Sequence, residues 1–191
     1  MTEPLQITVV IPTLNEAAHL PNLLACLAEA GETLPLIISD GGSADGTEDI
    51  ARAAGARVIT GPPGRGGQLS RGIAASSTPW LLLLHADTLF SPGWQETLRQ
   101  TLSSASAACA YYGKLCFASA DPRARVLECG VALRCALWRL PYGDQALLIH
   151  SDLLAAIGGM PDAPLMEDVL LARRLGRARL APMHLPLTTD A

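Results

Sequence analysis

The chain has 191 residues, 49% of them hydrophobic and 17% charged, so it can bury the core of one domain and is too apolar for a disordered or coiled-coil protein. Its formal net charge of −4, from 14 basic and 18 acidic residues, gives nucleic-acid binding no electrostatic support. Five cysteines, Cys26, Cys109, Cys116, Cys129 and Cys135, form no C-x-x-C or zinc-like spacing and read as small, mostly core residues of a reduced protein.

Strand and helix signals alternate through the first half. Residues 7–11 form a β-branched run ended by Pro12, and 16–30 read as a helix burying Leu20, Leu23, Leu24 and Leu27. A second buried strand over 36–39 ends in Asp40-Gly41-Gly42-Ser43-Ala44-Asp45-Gly46-Thr47, and 47–54 read as the next helix, stopped by Gly55. A third strand over 57–60, a glycine-rich loop over 61–67 and a helix over 68–76 follow. Trp80 and Leu81-Leu82-Leu83-Leu84 read as a buried parallel strand that breaks into His85-Ala86-Asp87.

The second half is less regular. It holds a helix after Pro92, a strand over 110–117, a helix over 123–139, a short strand over 146–150 and a last helix over 167–175. The prediction is a single α/β domain with a mostly parallel sheet flanked by helices, a nucleotide-binding half over about 1–90 and a catalytic half over about 91–191. No apolar run reaches the roughly 20 residues that span a bilayer, and residues 1–6 lack the basic start of a signal peptide, so a cytoplasmic protein is expected.

In open α/β sheets ligands bind beyond the carboxyl ends of the strands, which puts Asn15, Asp40 and Asp87 on one rim. His85 and Asp87 are two residues apart and share a face of the strand end, where a carboxylate suits Mg²⁺ or Mn²⁺ and an imidazole tolerates Mn²⁺. A strand end with one surface acid and a capping histidine is the plainer alternative. Gly64 to Arg71 offers backbone amides and two guanidinium groups, Arg65 and Arg71, suited to phosphate. Asp45-Gly46-Thr47 reads as turn and helix cap.

Val9-Val10-Ile11-Pro12-Thr13-Leu14-Asn15-Glu16, the Asp40–Thr47 stretch, His85-Ala86-Asp87 and Met166-Glu167-Asp168 resemble, in order and spacing, the signature of family 2 glycosyltransferases with the GT-A fold. Leu84 to Thr88, Gly143-Asp144-Gln145 and Pro164 to Asp168 further resemble the bacterial radical-SAM/selenodomain-associated branch. The resemblance implies a nucleotide-sugar donor, with UDP the expected nucleotide, and Mn²⁺ or Mg²⁺ as cofactor. It implies a nucleotide wall at Pro12 and Thr13, donor contacts from Glu16, Asp40, Arg71 and His85, and Asp87 as metal ligand.

It further implies Asp168 as the general base of an inverting transfer, and Asp144, Gln145 and Glu167 near an acceptor that is a saccharide, a lipid-linked alcohol or a small molecule. His85 stands where the wider family has the first carboxylate of Asp-x-Asp. Residues 123–139 carry Arg123, Arg125, Arg134 and Arg139 with apolar neighbours, which suits either a helix packed on the sheet or contact with a membrane surface. A nucleotidyltransferase and a non-catalytic sugar-nucleotide-binding module are the alternatives; the former's basic glycine-rich loop after the first strand is absent here.

Overall fold

The computed structural model describes residues 5–29, 34–117, 122–138, 141, 145–163 and 166–189. The chain runs β1 (Ile7–Thr13), α1 (Leu20–Ala28), β2 (Leu36–Asp40), α2 (Thr47–Ala53), β3 (Arg57–Thr60), α3 (Arg65–Ala74), β4 (Trp80–Leu83), β5 (Leu89–Phe90), α4 (Trp94–Ser104), β6 (Ala110–Phe117), α5 (Pro122–Trp138), β7 (Leu147–His150), α6 (Ser151–Ala156), α7 (Glu167–Leu175) and β8 (Leu180–Thr189). Among the described residues the strands form one sheet in the order β3-β2-β1-β4-β7-β6-β8-β5. β3, β2, β1 and β4 are mutually parallel, whereas β7 runs antiparallel to both β4 and β6.

The parallel half follows from its sequence. The β1 side chains from Ile7 to Ile11 are all buried, as are Leu81 to Leu84, because helices cover both faces of this part of the sheet. Ile7, Val9 and Ile11 pack with α1 through Leu20, Leu23 and Leu27 on one face. Val10, Leu81 and Leu83 pack with Leu69 of α3 and Leu171 of α7 on the other. Consecutive β1 residues serve opposite cores because strand side chains alternate between faces. Gly72 of α3 lets that helix lie close on the sheet, since a Cβ there would stand 2.4 Å from Val10 Cγ1.

Three expectations are corrected. The first helix begins at Leu20 rather than residue 16, with Pro21 in its first turn, where a missing N–H costs nothing; the amides of Asn15, Glu16 and Ala17 are instead bonded to side chains of the Ser43–Thr47 loop. The helix over 167–175 is not the last element: the run from Leu180 pairs parallel with β6 as β8, and β5 and α6 were likewise not foreseen. Of the cysteines, only Cys135 is buried, and Cys129 is exposed; none forms a disulfide among the described residues.

Candidate functional site

The carboxyl ends of β1 and β4 and the start of α3 enclose a cleft of about 350 Å³, lined by Pro12, Thr13, Leu14, Glu16, His19, Gly64, Arg65, Gln68, His85, Ala86 and Asp87. Its rim is built by two interlocked loops. Asn15, held at φ 57°, accepts the Ala44 amide on its side-chain oxygen at 2.9 Å and donates its own amide to Ser43 Oγ at 2.8 Å. The Glu16 amide donates to Thr47 Oγ1 at 2.8 Å, and the Ala17 amide to Asp45 Oδ2 at 3.0 Å. The Asp40–Thr47 motif thereby clamps the segment that carries Pro12, Thr13 and Glu16. Asp45 is a turn and cap residue as expected, accepting both the amide and the hydroxyl of Thr47, and these bonds lower its pKa despite the opposing effect of desolvation.

Asp40, expected at the donor, is bonded within this clamp. It is fully buried, and its carboxylate accepts the Gly42 and Ser43 amides, both at 2.7 Å, the Ser43 hydroxyl at 2.6 Å and the Thr13 hydroxyl at 2.8 Å. A carboxylate offers about four lone-pair sites, and all are taken. Burial alone would raise its pKa; the bonds from Ser43, Thr13 and Gly42 outweigh it and hold the group below the ordinary carboxylate value.

Arg71, also expected at the donor, is bonded to backbone carbonyls of the rim. Its NH2 donates to the Pro62 carbonyl at 2.9 Å and the Asp40 carbonyl at 3.5 Å, and a Cβ at Gly61 would stand 2.6 Å from its Nε. It braces the loop after β3 and does not line the cleft.

Arg65 is the arginine in the cleft. Its NH1 lies 2.9 Å from His85 Nε2, and its Nε lies 3.0 Å from Glu167 Oε1 at the head of α7. His85 is pushed down to about 4, chiefly by desolvation and next by the Arg65 charge, with Asp87 and Asp168 pulling the other way. The imidazole is therefore neutral near pH 7, and its Nε2 can accept from Arg65. The His85-Ala86-Asp87-Thr88 turn is closed by Thr88, whose buried hydroxyl accepts the His85 amide at 3.2 Å.

Glu167 and Asp168 open α7 on the far side of His85. They line a smaller, apolar cavity of about 40 Å³ together with His85, Leu69, Leu83 and Leu171. Glu167 is 2% exposed and faces Arg65; Asp168 is partly exposed. Adjacent helical residues diverge by about 100°, so only one of the two acids turns inward. Gln145 is buried against β6, donating to the Gly113 carbonyl at 3.1 Å and accepting from Cys135 Sγ at 3.3 Å. It lines a separate cavity with Tyr112, Lys114 and Val131. Asp144 lies outside the described residues.

Three cleft residues were not foreseen. His19 reaches the cleft beside Glu16, Nδ1 to Oε2 at 3.0 Å, and Leu14 lines it. Gln68 is buried, donating to the Thr13 carbonyl at 2.7 Å and the Ser39 carbonyl at 3.0 Å while accepting the Gly64 amide at 3.2 Å. One amide thus ties together three loops. Its signal in the sequence was a polar residue directly beside Leu69 on the helix face that meets the sheet.

Among the described residues no group of three or more His, Cys, Asp and Glu side chains is arranged to hold a metal ion. Asp87 is the cleft carboxylate that could hold a hard divalent cation, whereas the single acceptor nitrogen of neutral His85 is occupied by Arg65. No helix of the described residues is long and apolar enough to cross a membrane.

A mixed α/β sheet with helices on both faces and a polar cleft at its parallel strand ends defines a nucleotide-diphosphosugar transferase architecture of the GT-A type. Residues 8–130 match glycosyl transferase family 2, and the chain belongs to that family.

Among curated relatives, an uncharacterised glycosyltransferase of Mycobacterium bovis is 35% identical over 88 residues, which make up 46% of this chain and 39% of the relative. Glucosyl-3-phosphoglycerate synthase of Mycobacterium tuberculosis is 34% identical over 94 residues, 44% of this chain and 29% of the relative. The chain therefore matches well under half the length of these relatives.

A crystal structure of that synthase in complex with Mn²⁺, UDP and glucosyl-3-phosphoglycerate superposes with a TM-score of 0.70 at 26% identity, covering 97% of this chain and 72% of that one. Its complex with Mg²⁺ and UDP superposes equally well, with a TM-score of 0.70 at 25% identity over 97% of this chain and 71% of that one.

Proposed function

We propose that the chain is a metal-assisted inverting glycosyltransferase that moves a sugar from a UDP-sugar to a hydroxyl acceptor. The observation that carries this reading is the cleft itself, with Asp87, His85 and Arg65 on its wall, Arg65 reaching Glu167 of α7, and Asp168 at the head of that helix. The synthase structures with UDP and Mn²⁺ or Mg²⁺ share this fold at 25–26% identity, which supports the donor and the metal.

The roles follow from the chemistry of each group. Pro12, Thr13 and Glu16 wall the nucleotide, with the Glu16 carboxylate able to accept from ribose hydroxyls. Arg65 and the amides at the N-terminus of α3 receive the diphosphate, where a helix end and a guanidinium both favour negative charge. Asp87, with His85 beside it, holds the cation, which when bound offsets charge on the departing nucleoside diphosphate. Asp168 takes the proton of the acceptor hydroxyl as that oxygen attacks the anomeric carbon and the diphosphate leaves from the opposite face.

The Leu84 to Thr88, Gly143-Asp144-Gln145 and Pro164 to Asp168 sequence motifs support membership of the radical-SAM/selenodomain-associated branch. A cytoplasmic enzyme with peripheral membrane contact is consistent with α5, on which Val126 and Leu133 are 71% and 58% exposed beside Arg123 and Arg125. The single carboxylate of His85-Ala86-Asp87 favours, as second reading, a module that binds sugar nucleotides without transfer.

The deciding experiment is titration of UDP and UDP-sugars with and without Mn²⁺, followed by an assay of UDP release over a panel of alcohol acceptors. Metal-dependent UDP binding with release supports the enzyme; binding with no release under any metal supports the module.

A further inference from the structure

Glu167 presents a problem of charge. Its side chain is 3% exposed, and an ionised carboxylate withdrawn from water needs a counter-charge. The counter-charge is Arg65, whose Nε lies 3.0 Å from Glu167 Oε1, while that oxygen makes no well-directed hydrogen bond among the described residues. The contact is an ion pair across two elements, α3 and α7. The same guanidinium reaches the end of β4 through NH1 and His85 Nε2, and its side chain is 40% exposed on the cleft. Its NH2 has no partner among the described residues.

A guanidinium is planar and rigid, so fixing Nε and NH1 also fixes the direction in which NH2 points. We infer that Glu167 is a positioning residue: it holds Arg65 in the orientation that presents the remaining N–H groups to a diphosphate in the cleft. The same pair seats the first turn of α7, and with it Asp168. Donor recognition on α3 and the base on α7 are thereby joined through one ion pair, buried at Glu167 and open to the cleft at Arg65. Lysine cannot replace Arg65, because one ammonium on a flexible stem cannot fix two neighbours and still present a rigid edge. This inference rests on the reading of the cleft as a nucleoside-diphosphate site.

The test is calorimetric titration of UDP with Mn²⁺ on wild type, Arg65→Gln, Glu167→Gln and the double variant, with thermal unfolding to confirm folding. Arg65→Gln should weaken UDP by about tenfold or more, and Glu167→Gln by roughly threefold to tenfold although it lies behind the arginine; in the Arg65→Gln background the second change should add less than about twofold. Arg65→Lys should resemble Arg65→Gln rather than wild type. If Glu167→Gln does not fold, Glu167→Asp keeps the charge, withdraws it by one methylene and should weaken UDP in the same direction. In steady state the Glu167 variants should raise the donor KM.

UDP affinity unchanged in a folded Glu167 variant, or losses that add in the double variant, would overturn the inference while leaving the nucleotide site standing. Absence of metal-dependent UDP binding in wild type would overturn both.

Discussion

The Thr13 hydroxyl donates to Asp40 Oδ2 at 2.8 Å, joining the last residues of β1 and β2, which are also paired in register. The bond places the acid expected to touch the donor inside the scaffold of the rim. Asp40→Ala should therefore act on stability. It removes a buried acceptor from two hydroxyls and two amides, and a loss of about 3 kcal/mol is expected by denaturant unfolding. Weaker UDP binding with unchanged stability would instead place Asp40 at the donor.

The same carboxylate sets a pH dependence. Its folded pKa lies below its unfolded value of about 4, so the unfolded chain binds the proton more readily and protonation favours unfolding. The Asp40 contribution is complete above about pH 5 and is lost as pH falls through the lowered folded pKa. Urea midpoints measured from pH 6 to pH 3 should fall less steeply in Asp40→Asn than in wild type.

Asp87→Ala should abolish the metal-dependent part of UDP binding, since it deletes the carboxylate of the β4 strand-end motif on the cleft wall. Titrations with and without Mn²⁺ check this; a metal effect equal to wild type would move the cation elsewhere.

Asp168→Asn should leave UDP affinity nearly intact and lower turnover by roughly 10² or more, the scale of losing a general base. Asparagine keeps the size and cannot take the proton. The measurement is UDP release under donor saturation with an acceptor found by screening, and turnover near wild type would remove Asp168 from the base role.

Gly66→Ala tests the seating of α3 against the 160–163 loop, because its Cβ would fall 2.3 Å from the Pro161 carbonyl oxygen. Backbone on the opposing side cannot swing away, so a loss of about 1–3 kcal/mol is expected, read as a lowered thermal midpoint. An unchanged midpoint would show that the loop yields.

The parallel half was legible because its strands are continuous apolar runs and its loops carry glycine, asparagine and aspartate where turns are required. Those signals are local, and β1 to β4 and the rim were read from them. β8 was not legible: Pro182 and Pro186 interrupt its run, and only pairing with β6 across some seventy residues makes it a strand. The site divided along the same line. Residue type and position beyond strand ends brought Pro12, Thr13, Glu16, His85 and Asp87 to one cleft. Which polar groups face the cleft and which are consumed within the rim was decided by tertiary contacts. Asp40 found four donors and Arg71 two carbonyls, whereas Arg65 was drawn to the cleft between His85 and a buried Glu167. A carboxylate or guanidinium satisfies its hydrogen-bonding capacity with whatever partners the packed chain supplies, and those partners lie far away in sequence.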